Sequence, residues 1–199
     1  MHIKTLPLFF GCACAALPSP PTPARLALRE TPGAAVTVVQ VKSPWYAPRG
    51  FIVRKFRDAV PEFQALDGLE RKQFSFAQNG DYGGIYTWSR RADAEAWFGP
   101  QWHERVRRQR GVDGAVRFIA VTEGLVAPPE RGAFEGPMVV TIAPDTLERY
   151  RESAGLLAAY AGEGLVISTW RDRQAAEAML ANKPGVEWFD TPIGLQNKR

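Results

Sequence analysis

The chain has 199 residues, of which 45% are hydrophobic and 23% are charged. These values are typical of a soluble globular protein, and the length suffices for one domain or two small ones. The net charge of +4 is spread along the chain apart from one basic cluster, ERVRRQR at 104–110. Because no nucleic-acid-binding motif accompanies this cluster, we expect no nucleic-acid partner.

Residues 1–24 have the pattern of a signal peptide followed by a proline-rich leader. A lysine precedes an apolar run, small residues follow, and PSPPTPA cannot form a helix or a central strand. We expect cleavage after Ala16 or near Ala24 and a periplasmic or otherwise exported protein, the alternative being a cytoplasmic one. Either cysteine, Cys12 or Cys14, can carry a lipid anchor, although FFGC matches the lipoprotein motif poorly.

The mature chain is expected to lack both a membrane span and a cysteine-based site. No run after the leader approaches the roughly 20 apolar residues that a membrane-spanning helix needs. A chain that starts near residue 25 contains no cysteine. We therefore expect no disulfide framework and no metal site.

The first unit, residues 35–125, predicts the order β-α-β-β-α-β. β-branched runs predict strands, apolar residues at helical spacing predict helices, and a Gly- and Asn-rich turn joins the two middle strands. The predicted strands are 35–42, 69–78, 85–89 and 115–123, and the predicted helices are 51–66 and 92–110. Pro61 is expected to kink or break the first helix.

The second unit, residues 137–195, predicts the same order in fewer residues. A Pro- and Gly-rich linker at 126–136 separates it from the first unit. Its predicted strands are 138–143, 155–160, 164–170 and 185–193, and its predicted helices are 144–153 and 173–182.

One strand–turn–helix segment occurs in both units. GGIYTWSRRADAEAWF at 83–98 corresponds to LVISTWRDRQAAEAML at 165–180, and seven of the fourteen positions from 85 and 167 onward are identical. Together with the repeated element order, this identity indicates a duplication.

The repeat predicts an α+β fold class with two ferredoxin-like β-α-β-β-α-β units. In each unit both helices would cover one face of an antiparallel sheet and leave the other face open. We expect the two open faces to pack together as an intrachain dimeric α/β barrel. The protein would then be a monomeric pseudo-dimer or a homodimer.

Several motifs resemble those of a known family. SPWYAPRGF, AVPEFQALDGLERKQFSF, GGIYTWSRRADAEAWF and WHERV are similar to the YdhR-type branch of the antibiotic-biosynthesis monooxygenases, members of the dimeric α/β-barrel superfamily. The resemblance covers about 35–124 strongly and 137–195 more weakly. It specifies the fold better than the chemistry, because one fold hosts many functions.

The resemblance implies a cofactor-independent monooxygenase that acts on a small aromatic substrate such as a quinol, a polyphenol or an anthrone. The alternative is a non-catalytic module that binds a small ligand or acts in a stress response. Haem degradation fits less well. In the haem-degrading relatives an Asn lies on the first strand and a His about ten residues after the position of Trp97, whereas 35–42 lacks Asn and Arg107 takes the place of the His.

Aromatic residues of the first unit form the predicted pocket. An aromatic-lined cleft with few polar groups suits a flat, apolar ligand. The predicted substrate-binding residues are Trp45, Tyr46, Arg49, Phe74, Tyr86, Trp97 and Trp102.

His103 is the predicted catalytic base, since histidine changes its protonation near neutral pH and can accept a proton from a phenol. We expect Arg49 to hold an anionic substrate oxygen. The second unit should lack an equivalent pocket, because it has no His and carries Met179 where the first unit has Trp97.

Overall fold

The structure is a computed structural model and describes residues 26–126 and 132–197. Its strands are β1 (Ala27–Val41), β2 (Leu69–Ala77), β3 (Tyr82–Trp88), β4 (Gly114–Val126), β5 (Gly132–Pro144), β6 (Leu156–Gly162), β7 (Leu165–Trp170) and β8 (Glu187–Gln196). Its helices are α1 (Arg49–Gln64), α2 (Arg91–Trp97), α3 (Pro100–Arg110) and α4 (Arg173–Leu180), with a 3₁₀ helix at Leu147–Tyr150. The predicted leader and residues 127–131 of the predicted linker lie outside the described residues.

The strands of the described chain form one closed antiparallel barrel, in the order β1-β3-β2-β8-β5-β7-β6-β4. The predicted fold class, two ferredoxin-like units packed as an intrachain dimeric α/β barrel, is therefore wrong. That prediction had two separate four-stranded sheets that meet face to face. In the structure β2 is hydrogen-bonded to β8 and β4 to β6, so the halves of the chain join edge to edge.

Barrel closure has a simple physical reason. Two separate sheets would leave four edge strands with unpaired backbone N–H and C=O groups, whereas a closed barrel has no edges. The strands beside the joins, β1 next to β4 and β5 next to β8, are also longer than the sequence pattern predicted, with β1 beginning at Ala27 and β5 at Gly132. The added length is used in pairing, since Ala27 pairs with Val126 and Gly132 with Gln196.

Alternation along the strands divides the side chains between the inside and the outside of the barrel. The interior holds a cluster of mostly aliphatic residues, among them Val36, Val38, Ile85, Ile119, Val140, Ile142 and Ile167. On the outside, α1 packs over β2 and β8, α2 and α3 pack over β1, β3 and β4, and α4 packs over β5 and β7. The helices thus cover sheet surface that would otherwise be apolar and exposed.

The helices depart from the sequence prediction at three places. The predicted helix 92–110 is two helices, because α2 ends at Trp97 and Pro100 begins α3, where its missing N–H is not needed. α1 continues through Pro61 to Gln64. The predicted helix 144–153 is reduced to the four-residue 3₁₀ segment.

The recurrent Trp has the same role in both halves. Trp88 Nε1 donates to Thr37 Oγ1 at 3.0 Å, and Trp170 Nε1 donates to Thr141 Oγ1 at 3.1 Å. Both indoles are fully buried, so each N–H requires such a partner. No helix in residues 26–126 or 132–197 is long and apolar enough to cross a membrane.

Candidate functional site

A cavity of about 350 Å³ lies between the outer face of the barrel and helices α1 and α3. Its floor comes from β1, β2 and β3 and its walls from the two helices. Apolar and aromatic residues dominate the lining, including Val39, Val41, Phe51, Ile52, Phe56, Phe63, Phe74, Tyr82, Tyr86 and Trp102.

Strand alternation directs a lysine into this aromatic lining. Lys72, Phe74 and Phe76 occupy alternate positions of β2, so their side chains share the outer face. Gly84 on β3 has no side chain and so leaves room beside them. A Cβ at this position would crowd both neighbours, since it would lie 3.2 Å from Lys72 Cε and 3.1 Å from a Tyr86 ring carbon. The register that pairs Lys72 with Tyr86 completes the arrangement.

The Lys72 ammonium lies against three aromatic rings. Its Nζ is 2.9 Å from the ring centroid of Phe63, 3.9 Å from that of Phe74 and 4.5 Å from that of Tyr86. These rings come from α1, β2 and β3 respectively, and the lysine is 3% exposed. We call Lys72 with these three rings the lysine cage.

Burial disfavours the charged form of this lysine. It lowers the pKa of Lys72 well below the usual value, while the negative charge of Glu62 opposes the shift. The ring faces also favour the ammonium, since their quadrupoles attract cations. Because desolvation is the largest cause, a neutral Lys72 amine is accessible at a far lower pH than for an exposed lysine.

Tyr86 remains a neutral phenol, since burial is the main cause that raises its pKa. The remaining charges of the cavity lie toward solvent. Lys55, Arg105 and Arg110 line it, and Glu62 is 4.0 Å from Arg105. The cavity therefore has an aromatic interior and a mainly basic rim.

The structure brings four of the predicted substrate-binding residues to this cavity: Tyr46, Phe74, Tyr86 and Trp102 all line it. Trp97 lies behind the lining, edge-on to Phe63 at 6.1 Å. Trp45 points away into solvent with 95% of its surface exposed.

The two predicted polar residues lie elsewhere. His103 packs edge-on against Trp102 at 5.0 Å and is absent from the described cavity lining. Arg49 lies on Phe76 and donates to Asp190 at 3.0 Å, a carboxylate that Arg173 also contacts at 2.9 Å. The roles predicted for both residues stay predictions.

Lys72, Glu62 and the cage residue Phe63 are site residues that the sequence analysis missed. One signal was present, since in LERKQFSF the lysine is in phase with Phe74 and Phe76 on a strand whose apolar face must be buried. A charged residue on a buried face is uncommon and marks a position worth testing for function.

The second half lacks a lysine cage at the corresponding place. The two halves can be aligned at the pairs Leu69–Trp88 and Leu156–Trp170. In this alignment Ala159 takes the place of Lys72, and Ser168, its partner on the next strand, takes the place of Tyr86. There Tyr150 of the 3₁₀ segment, fully buried, packs in the same cluster as Ala159 and Trp170.

No protein-family model matches the chain, and no curated protein matches it significantly in sequence. Three solved structures superpose on most of this chain with TM-scores below 0.5. An anthrone oxidase-like protein has a TM-score of 0.47 at 11% identity, covering 85% of this chain and 96% of its own. A candidate monooxygenase from Lactobacillus acidophilus scores 0.44 at 6% identity and covers 79% and 93%. Another, from Fusobacterium nucleatum, scores 0.43 at 9% identity and covers 88% and 96%.

Proposed function

We propose that this protein is a cofactor-independent monooxygenase that binds a small, acidic aromatic molecule in the cavity and deprotonates it with Lys72. The observation that carries this proposal is the lysine cage: an amine with a lowered pKa, enclosed by aromatic rings, at the floor of a cavity. A buried amine of this kind is a usual way for a protein to obtain a base near neutral pH.

The cavity suits the substrate class. About 350 Å³ with aromatic walls accommodates a flat molecule of a few fused rings. The basic residues at its rim, Lys55, Arg105 and Arg110, favour a ligand that becomes anionic. Phenols, quinols and anthrones combine both properties, because they are flat and lose a proton to give a delocalised anion.

Lys72 then has two tasks in the reaction. Its neutral amine accepts the proton from the substrate O–H or acidic C–H, and the resulting ammonium is stabilised by the ring faces and by Glu62. The electron-rich anion is oxidised by dissolved O₂. For an anthrone, the CH₂ carbon becomes C=O with one atom of O₂, and the other atom leaves as water with both hydrogens. The sequence resemblance to antibiotic-biosynthesis monooxygenases supports this reaction class.

Oxygen uptake by the purified protein, measured against a panel of hydroquinones, polyphenols and anthrones, tests the proposal. We expect Lys72→Met to lower kcat by about 10²–10⁴-fold, the range for a lost general base. Lys42→Met, at an exposed lysine, is the matched control. His103→Ala separates the two candidate bases, and we expect it to leave kcat unchanged.

Two results would refute this assignment. If Lys72→Met retains full turnover while His103→Ala loses it, the base is His103. If the wild-type protein binds members of the panel without consuming O₂, the cavity is a binding site and the protein is no oxygenase.

A further inference from the structure

The mouth of the cavity has an unusual surface for a soluble protein. Trp45 is 95% exposed, Tyr46 70% and Phe51 43%. Large aromatic side chains of this kind normally bury most of their area, and a group of exposed ones marks an interaction surface. Tyr46 and Phe51 line the cavity itself, and Trp45 lies edge-on to Tyr46 at 5.8 Å.

Cations lie beside Phe51 and along the same opening. Arg54 Cζ is 5.8 Å and Lys55 Nζ 5.9 Å from the Phe51 ring centroid. Arg110 lines the same opening, with its Cζ 5.9 Å from the Tyr82 ring centroid. One carboxylate, Asp58, lies 3.2 Å from Lys55 and offsets part of the charge. We call Trp45, Tyr46, Phe51, Arg54, Lys55 and Arg110 the mouth surface.

We propose that the mouth surface docks the protein on an anionic lipid bilayer, so that the cavity opens toward the membrane. Trp and Tyr are enriched where proteins meet the lipid headgroups, because one part of each ring system is apolar and another is polar. Lys and Arg beside them are attracted to anionic headgroups. Both features meet at one opening.

A second copy of this chain fits this surface less well. A two-fold interface would bring the same patch of both copies together. Arg54, Lys55 and Arg110 of one copy would then face the same three cations of the other copy. Like charges across an interface disfavour association. An anionic lipid surface instead complements these cations and accepts the aromatic side chains.

Docking also gives the cavity a source of substrate, a consequence that rests on the proposed function. Apolar quinols and polyphenols partition into bilayers, so a cavity that opens on the membrane would receive them without passage through water. The docking itself does not depend on turnover and is measured without substrate.

Co-sedimentation of the full chain with vesicles tests this inference. One set of vesicles contains phosphatidylcholine alone, and the other contains phosphatidylcholine and phosphatidylglycerol in equal parts. We expect binding to the anionic set to be at least about tenfold tighter and to weaken with added salt, as for several surface cations.

Two double variants of the mouth surface separate the contributions. Trp45→Ser with Tyr46→Ser removes the aromatic groups, and Arg54→Glu with Lys55→Glu reverses two charges. Each should weaken binding to the anionic vesicles by roughly tenfold to a hundredfold, the first because two aromatic groups no longer insert among the headgroups and the second because two attractive charges become repulsive. Leu28→Ser with Arg171→Glu changes an exposed apolar and an exposed basic residue elsewhere and should bind like the wild type.

Three outcomes overturn the inference: equal binding to both vesicle sets, undiminished binding of both mouth variants, or equal weakening in the control. Undiminished binding would assign membrane contact to another part of the chain. Light scattering of the same variants adds a further criterion. If the mouth variants abolish self-association and leave vesicle binding intact, the surface is an interface between copies.

Discussion

Replacing Lys72 by Met should stabilise the protein at neutral pH while it lowers turnover by about 10²–10⁴-fold. Met has nearly the same length and volume as Lys and packs well against aromatic rings. The substitution therefore keeps the Phe63, Phe74 and Tyr86 contacts of the lysine cage and removes the charge that burial disfavours. A gain in stability together with a loss of activity would mark Lys72 as a residue retained for function.

The magnitude follows from two opposing effects. Replacement of buried ionic groups by apolar ones of similar volume stabilises proteins by about 1–4 kcal/mol. The desolvated cation–π contacts that Met cannot make contribute up to about 2 kcal/mol in the other direction. We therefore expect a net gain of about 1–2 kcal/mol, or a rise in Tm of roughly 2–8 °C for a chain of this size.

The pH dependence of this gain has a defined sign. At low pH Lys72 is protonated in both the folded and the unfolded chain, so the folded state has the full desolvation cost. As pH rises above the lowered folded-state pKa, the folded chain releases its proton while the unfolded chain keeps one up to about 10.5, so wild-type stability increases. The advantage of Lys72→Met is thus largest at low pH and shrinks toward pH 10.5.

Thermal unfolding of the wild type, Lys72→Met and the exposed control Lys42→Met across a pH series measures this difference. Two observations would contradict the reasoning. One is a Lys72→Met protein that is less stable than the wild type at neutral pH. The other is a difference between the two that does not change with pH, since the charge of Lys72 would then not be the cause.

Two further predictions concern the reaction and the N-terminal segment. The rate with a neutral phenolic substrate should rise with pH as Lys72 loses its proton. This rise should be missing from the residual activity of Lys72→Met, and a rise that persists unchanged would point to another base. Protein from the native host should lack residues 1 to about 24 by intact-mass measurement, as the apolar run and PSPPTPA predict, and a full-length species would exclude signal cleavage.

Local sequence patterns predicted most of the strands and turns but not how the strands are arranged. β2, β7 and α4 lie close to their predicted positions, because alternation, helical spacing and turn residues are local signals. The pairing of β2 with β8 joins residues more than a hundred positions apart and depends on the edges that the rest of the fold leaves open. A pattern within one segment contains no information about such a partner.

The candidate site was predictable only where burial and apolar character agree. Phe74, Tyr86 and Trp102 are large and aromatic, so a pocket between sheet and helix was a sound expectation for them. Lys72 was missed because most lysines are solvent-exposed, and its enclosure depends on the register of β2 against β3 and on the packing of Phe63 from α1.

The difference between the two halves of the barrel explains why the cavity forms beside α1. This helix has 16 residues, and together with α3 it encloses space above Lys72. The second half has a 3₁₀ segment of four residues there, and its Leu147 and Tyr150 pack directly with the sheet residues. Ala159, at the position that corresponds to Lys72, is fully buried in that packing.

This contrast gives a direct test of what the lysine cage contributes. Ala159→Lys places an ammonium in a packed cluster without the three rings, and Ala159→Met adds nearly the same volume without charge. Overpacking should destabilise both by about 1–3 kcal/mol. The Lys variant should be less stable than the Met variant by about 3 kcal/mol, because its buried charge is uncompensated.

At position 72 the same Lys-to-Met difference should be only about 1–2 kcal/mol, because the rings and Glu62 offset part of the desolvation cost. Urea unfolding of the wild type, Lys72→Met, Ala159→Lys and Ala159→Met gives both differences in one experiment. If Ala159→Lys does not fold while Ala159→Met does, the order still holds. Equal differences at the two positions would mean that the aromatic rings do not stabilise the ammonium, and the second task assigned to Lys72 in the reaction would have to be abandoned.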